Sequence, residues 1–230
     1  AGKSSVLKVL TGEYSPTNGF ASIGGYDVKT YPGEVKRIYG YVPQDLQLYE
    51  DLSFEQNIVF FGGQYGLRDE YLRQKGRELA RTVELEDRYN DRIRNLSGGQ
   101  KRRVSIAVAL THDPRLVILD EPTSGLDPTT RRGLWKFLKY LNKSTMTTMM
   151  VTTHYIDEGE YCDRLLFINK GRVIAFDSPE RLKRAMPGGG KGIEVELFHI
   201  DESVTRKLDE FEQYARESKA AQMVDRSGYK

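Results

Sequence analysis

Four consecutive apolar residues, Leu116-Val117-Ile118-Leu119, run directly into two carboxylates, Asp120 and Glu121. An apolar run this short, without polar alternation and beside turn signals, suits a strand covered on both faces in a parallel sheet. Ligands of open α/β sheets bind outside the carboxyl ends of the strands. The two acids fall at that end. This one hexapeptide therefore constrains both the architecture and the place where chemistry would occur.

The rest of the chain agrees with α/β architecture, because strand-like and helix-like segments alternate. Strands are expected at 20–23, 39–42, 116–119 and 147–152. Helices are expected at 4–10, 54–64, 70–83, 100–111 and 130–141, with a short one at 156–161. Asp113-Pro114 ends the 100–111 helix, since proline disfavours helix at the residue before it. Residues 165–169 and 173–176 flank Lys170-Gly171-Arg172 and read as a hairpin. Gly188-Gly189-Gly190 is a flexible break. A small α+β extension is expected beyond it, with a strand at 193–198 and a helix at 203–218.

Composition removes several function classes. Lys and Arg total 35 and Asp and Glu 33, a net charge of +2. That balance gives no electrostatic case for nucleic acid, and none is expected as a partner. No apolar run approaches the roughly 20 residues of a membrane helix. One cysteine, Cys162, excludes an internal disulfide framework and a cysteine-rich metal site.

Four short motifs carry chemistry. Gly2-Lys3-Ser4-Ser5 opens a helix and matches the second half of a phosphate-binding loop. Its glycine lets backbone N–H groups approach phosphate, its lysine neutralises charge, and its hydroxyl can hold Mg²⁺. The helix N-terminus favours an anion. The same tetrapeptide also fits a solvated turn. Asp120 is placed to hold Mg²⁺ and Glu121 to accept a proton from an attacking water, although an acidic turn after a core strand has the same composition. Leu96-Ser97-Gly98-Gly99-Gln100 leads into a helix that Ser97 can cap, leaving N–H groups uncovered at a second anion site, or forming a plain N-cap. His154 follows the 147–152 strand and so faces the same crevice. Gln44 follows the Tyr41-Val42-Pro43 strand end as a polar ligand for Mg²⁺ or water. His112 and His199 lack such context and read as structural.

In this order and spacing, Gly2 to Ser5, Gln44, Leu96 to Gln100, Leu116 to Glu121, Ser124-Gly125-Leu126-Asp127 and His154 resemble the ATP-binding cassette (ABC) ATPases. The resemblance covers the chain to about residue 182. Tyr41 to Leu46 and Val151 to Glu158 look like the ATPases of ABC-2-type exporters and of the related A subfamily. It implies a P-loop NTPase fold with a mainly parallel central sheet and an inserted helical subdomain at about 45–112, within an ATPase domain spanning 1–187. It implies ATP and Mg²⁺ as cofactors. Lys3 would bind the β- and γ-phosphates, with backbone donors from Gly2, Ser4 and Ser5. Ser4, Gln44 and Asp120 would serve the metal. Glu121 would be the general base, and His154 would contact the γ-phosphate. Ser97, Gly98, Gly99 and Gln100, with Asp127, would meet nucleotide across an interface with a second ATPase domain, in a homodimer or pseudo-dimer. A transmembrane permease would be the other partner, near Tyr49-Glu50-Asp51, at the cytoplasmic face of a membrane.

One departure and two rivals complete the reading. The phosphate loop begins midway, at Ala1, without the preceding strand and adenine-stacking aromatic of that family. The expectation is of an N-terminally shortened cassette that binds MgATP poorly as it stands. A soluble ABC ATPase acting on nucleic acid or ribosomes is disfavoured by the short 45–95 segment, by the presence of a single cassette and by the neutral charge. A cassette that binds without turnover is disfavoured by the presence of both Glu121 and His154.

Overall fold

The computed structural model describes residues 2–185. The chain divides into two compact units, the first ending at Tyr161 and the second beginning at Cys162. The region expected to form an extension beyond 188 lies outside the described residues, as does His199.

The first unit opens with α1 (Lys3–Leu10), followed by a two-residue hairpin of β1 (Ser22–Ile23) and β2 (Tyr26–Asp27). The strand expected at 20–23 is shorter than its apolar residues suggested. Gly24 and Gly25 both take positive φ and turn the chain at once, leaving Phe20 outside the pairing and 84% exposed. A helix that was not anticipated, α2 (Pro32–Ile38), comes next. Proline stands at its first position, where the missing N–H is no loss, and Glu34 lies in its first turn.

The central sheet pairs β3 (Tyr39–Val42), β4 (Leu116–Asp120) and β5 (Thr148–Thr152) in the order β3-β4-β5, all parallel. Val117, Ile118 and Leu119 are fully buried, as an apolar run covered on both faces requires. Registers of Tyr39 with Leu116 and Leu116 with Thr148 put Tyr41, Ile118 and Met150 on one face of the sheet. There Leu7 of α1 joins Ile118, Tyr39, Val35, Val28 and Ile23 in one apolar cluster. By the same alternation Asp120 and Thr152 lie on this face as well.

The opposite face carries Gly40, where α5 (Gly98–Ala109) comes so close that a Cβ on Gly40 would lie 2.0 Å from the Ala109 carbonyl oxygen. Two helices precede α5, α3 (Phe54–Gly63) and α4 (Asp69–Thr82). Leu72, Gly76, Leu79, Ala80 and Val83 recur at helical spacing and are buried. A Cβ on Gly76 would lie 2.3 Å from the Tyr89 hydroxyl, so only glycine permits that approach. Ser53 and Gln56 form a reciprocal capping box at the start of α3. Finally α6 (Pro128–Thr145) packs on α5, with the Arg103 guanidinium 4.7 Å from the centre of the Phe137 ring. The segment 156–161 is a 3-10 helix rather than an α-helix.

The second unit holds the expected hairpin, β6 (Leu165–Asn169) with β7 (Arg172–Asp177), turned by Lys170 and Gly171 at positive φ. A further helix, α7 (Pro179–Ala185), follows.

Candidate functional site

The carboxyl ends of β4 and β5 bring the main candidates together. Asp120 is the last residue of β4 and is paired in register with Thr152, the last of β5. The Thr152 hydroxyl donates to Asp120 Oδ1, which fixes the carboxylate. Tyr41, on the same face, has its hydroxyl pKa raised by burial and by the neighbouring Asp120 charge. Thr152 and Tyr41 were not singled out from sequence. Their signal is positional, two residues facing one carboxylate across adjacent strands.

Glu121 follows with φ of 45°, a left-handed conformation that a residue with a side chain adopts at some cost, of order 1–3 kcal/mol. The turn is held from outside. The Glu121 N–H donates to both the carbonyl and the hydroxyl oxygens of Thr152, each at 3.1 Å, and the Glu121 carbonyl accepts from Ser124 at 3.0 Å. This turn brings Glu121 Oε2 within 3.3 Å of His154 Nδ1. The pair is partly open, with 20% of the Glu121 side chain and 48% of that of His154 exposed. A carboxylate poised over a strand end and in contact with an accessible imidazole can accept a proton from a water held between them and a ligand.

Lys3, Ser4 and Ser5 make the first turn of α1, on the face of the sheet shared by Asp120. Gly2 precedes them at φ 107°, and its carbonyl accepts from Val6 at 3.1 Å. No side chain caps this helix, so its terminal N–H groups are left for another acceptor. Gln44 lies two residues beyond the end of β3 and is exposed. Its main chain is fixed from the far face: Arg102 Nη1 on α5 donates to the Gln44 carbonyl at 2.9 Å and to the Pro43 carbonyl at 3.1 Å. Arg102 is buried, and that burial lowers its pKa. Arg102, one of the basic residues Lys101-Arg102-Arg103, gave no sign of this role in sequence.

Ser97 caps α5 in a capping box with Gln100, the Ser97 Oγ accepting at 3.3 Å and Gln100 Oε1 accepting in return at 2.9 Å. The expected start at 100 moves back to Gly98. Ser97 and Gly98 are exposed. A Cβ on Gly99 would lie 2.9 Å from Thr130 Cγ2, so the Ser97-Gly98-Gly99 turn sits hard against the start of α6. That start is capped by Asp127, whose Oδ1 accepts from the N–H groups of Thr129 and Thr130, each at 3.0 Å. The Thr130 hydroxyl, together with these N–H groups, holds the Asp127 carboxyl below its ordinary pKa. α1 and α5 cover opposite faces of the sheet, so the structure does not gather Lys3 and Ser97 into one site within a single chain. His112, read as structural, is so: its Nε2 lies 3.1 Å from the Tyr39 carbonyl and its ring stacks on Tyr65 at 3.9 Å.

The donor set can be tested against a metal. Among the described residues no group of three or more His, Cys, Asp or Glu side chains is arranged for one. Ser4, Gln44 and Asp120 offer a hydroxyl, an amide and one carboxylate. That set fits Mg²⁺, which keeps water and is shared with substrate phosphates rather than caged by protein. Among the described residues no helix is long and apolar enough to cross a membrane.

Comparison with known proteins agrees with this geometry. The family described as ABC transporter matches residues 1–124. The "Probable multidrug ABC transporter ATP-binding protein YbhF" of Escherichia coli (strain K12) is 39% identical over 183 residues, covering 80% of this chain and 32% of YbhF. The "Linearmycin resistance ATP-binding protein LnrL" of Bacillus subtilis (strain 168) is 36% identical over 204 residues, covering 88% of this chain and 65% of LnrL. The chain thus spans about a third of the first relative and under two thirds of the second. Among solved structures, the dimeric post-hydrolysis state of the ATP-binding cassette MJ0796, bound to ADP and Pi, superposes with a TM-score of 0.65 at 28% identity. It covers 77% of this chain and 80% of that one.

Proposed function

Because the chain belongs to the ABC transporter family of ATP-binding cassettes, we propose that it binds MgATP and hydrolyses it to drive export through an ABC-2-type membrane transporter. The observation that carries the reading is the cluster at the ends of β4 and β5, with Asp120 tied to Thr152 and Glu121 in contact with His154.

The reaction is ATP + H₂O to ADP and phosphate. Catalysis of this kind is mostly positioning and charge stabilisation. Lys3 binds the β- and γ-phosphates, and the open N–H groups of Gly2, Ser4 and Ser5 cradle them. Ser4, Asp120 and Gln44 would hold the magnesium ion, which when bound neutralises phosphate charge. Glu121 takes the proton of the attacking water, and the leaving ADP carries the electron pair of the broken P–O bond. His154 steadies Glu121 and contacts the γ-phosphate. Ser97, Gly98, Gly99 and Gln100, with Asp127, face the nucleotide of a second cassette. The location of α1 and α5 on opposite sheet faces supports this sharing, since one chain cannot close both halves on one ligand. A permease at the cytoplasmic face of a membrane, met near Tyr49, would receive the motion.

The test is phosphate release by the full-length gene product, with Glu121→Gln beside it. Glu121→Gln is expected to keep ATP binding and lose turnover by about a hundredfold or more. Turnover at the wild-type rate in that variant refutes the base assignment. Absence of ATP binding by the wild type refutes the function.

A further inference from the structure

The catalytic His154 does not stand alone on its strand end. Its ring lies 4.0 Å from that of Tyr155, tilted by 38°. The Tyr155 ring in turn carries the guanidinium of Arg131 at 3.9 Å from its centre. That distance is well inside the range of a cation–π contact. Arg131 lies in the first turn of α6, and its N–H donates to the Asp127 carbonyl at 2.9 Å. Its Nε lies 4.0 Å from Glu158 Oε1, on a carboxylate that is only 1% exposed. Tyr155 is pinned from its own side as well, its N–H donating to Thr153 Oγ1 at 3.0 Å.

These contacts form a continuous line from the start of α6 to the reacting carboxylate. Asp127 holds the turn that holds Arg131. Arg131 covers Tyr155, Tyr155 lies along His154, and His154 meets Glu121. His154 is otherwise half exposed. An imidazole so placed has several rotamers open to it, and only some reach Glu121. A ring packed along one side removes alternatives at a small entropic cost.

We infer that Arg131 and Tyr155 are positioning residues for the hydrolytic step, holding the His154 ring against Glu121 and tying that pair to the start of α6. Neither touches Glu121. Both act through His154. The start of α6 also lies against the Ser97-Gly98-Gly99 turn, at Thr130 and Gly99. A shift of that turn is therefore passed to the pair that handles the attacking water. This inference rests on the ATPase reading above.

The experiment is a double-mutant cycle in the full-length gene product, reading kcat and KM for ATP. Arg131→Ala and Tyr155→Leu are each expected to lower kcat by about five- to thirtyfold, with KM within about twofold of wild type. Tyr155→Phe keeps the ring and the rate. On a His154→Ala background neither Arg131→Ala nor Tyr155→Leu lowers the residual rate further. Equal factors in both backgrounds, or an unchanged kcat in the single variants, overturn the inference. A loss in KM alone does the same. The ¹H–¹³C ring signal of His154, assigned by its disappearance in His154→Ala, reads the contact without turnover. Arg131→Ala is expected to shift it, although Arg131 is separated from the imidazole by Tyr155. An unmoved signal in a folded variant overturns the inference. If Arg131→Ala fails to fold, Tyr155→Leu against Tyr155→Phe decides by the same criteria. A wild type that turns over with an additive cycle sinks this inference alone. A wild type that does not turn over sinks the ATPase reading and this with it.

Discussion

The tightest packing in the sheet gives the most direct test of the architecture. Gly40 sits in β3 under α5, and an alanine Cβ there would lie 2.0 Å from the Ala109 carbonyl oxygen, 2.9 Å from its carbon and 3.1 Å from its Cβ. Real Cβ atoms do not approach an oxygen that closely, so α5 must move outward by roughly 1 Å or more. Overpacking of this kind costs about 1–3 kcal/mol. The same movement stretches the bonds from Arg102 to the Pro43 and Gln44 carbonyls, now 3.1 and 2.9 Å, toward the limit at which they are lost. Arg102 is only 6% exposed, so water replaces those bonds poorly, at a further cost of about 1–3 kcal/mol. Against this, alanine restricts the unfolded chain and returns about 0.4–1 kcal/mol. The balance for Gly40→Ala is a loss of about 1–5 kcal/mol. For a domain of this size that lowers the melting midpoint by about 2–20 °C. Circular dichroism at 222 nm during heating, with a urea titration beside it, measures the change. A midpoint equal to or above that of the wild type would mean that β3 and α5 leave room for a methyl group, and the packing argument would fall.

Two further outcomes follow from buried groups. Asn57 is fully buried and makes three bonds, donating to the Tyr49 and Ser53 carbonyls and accepting from the Tyr49 N–H. Asn57→Leu is expected to cost about 2–4 kcal/mol by leaving those main-chain groups unpaired, and an unchanged urea midpoint would contradict this. Burial pushes the hydroxyls of Tyr39 and Tyr89 up to about 12 from 10.0. Raised pKa values favour the folded state fully below pH 10, and the contribution is lost as pH rises through 12. Each tyrosine removes up to about 1.4 kcal/mol per pH unit across that window. Denaturant titrations at pH 8 and pH 11 that give equal stability would refute the assignment.

What could be read in the sequence was whatever depends on local pattern. The run Leu116 to Leu119 gave β4 and its place in the sheet, because both its faces are covered and nothing polar interrupts it. Ser97 and Gln100 announced a cap, and the capping box is there. Asp120, Glu121 and His154 were placed in one crevice by the rule for parallel strand ends, and the ends of β4 and β5 bring them together. What escaped depends on neighbours distant in sequence. α2 buries only Val35 and so carries no apolar stripe to detect. Arg102 looks like one more charge in a basic tripeptide until α5 is laid against the turn at Gln44. Thr152 and Tyr41 gain meaning only from the register that sets them around Asp120. The left-handed turn at Glu121 is held by its N–H donating to two oxygens of Thr152, and no residue-level preference foretells it.

The sheet registers bear on the order in which the chain can assemble. Tyr39 pairs with Leu116 across the whole of the segment that holds α3, α4 and most of the way to β4. A bare loop of that length must be closed before any pairing rewards it, and such closures slow folding. This segment is not a bare loop. The N–H groups of Phe54 and Ile93 reach the carbonyls of Asp91 and Leu52, stitching the chain just before α3 to the chain just before α5. Once those bonds form, the loop left to close is only the stretch from β3 to Leu52 and the one from Ile93 through α5 to β4. The helices between Gln44 and Ser97 therefore serve the nascent chain as a clasp. By shortening the path along the chain they lower the loop-closure cost of pairing β3 with β4.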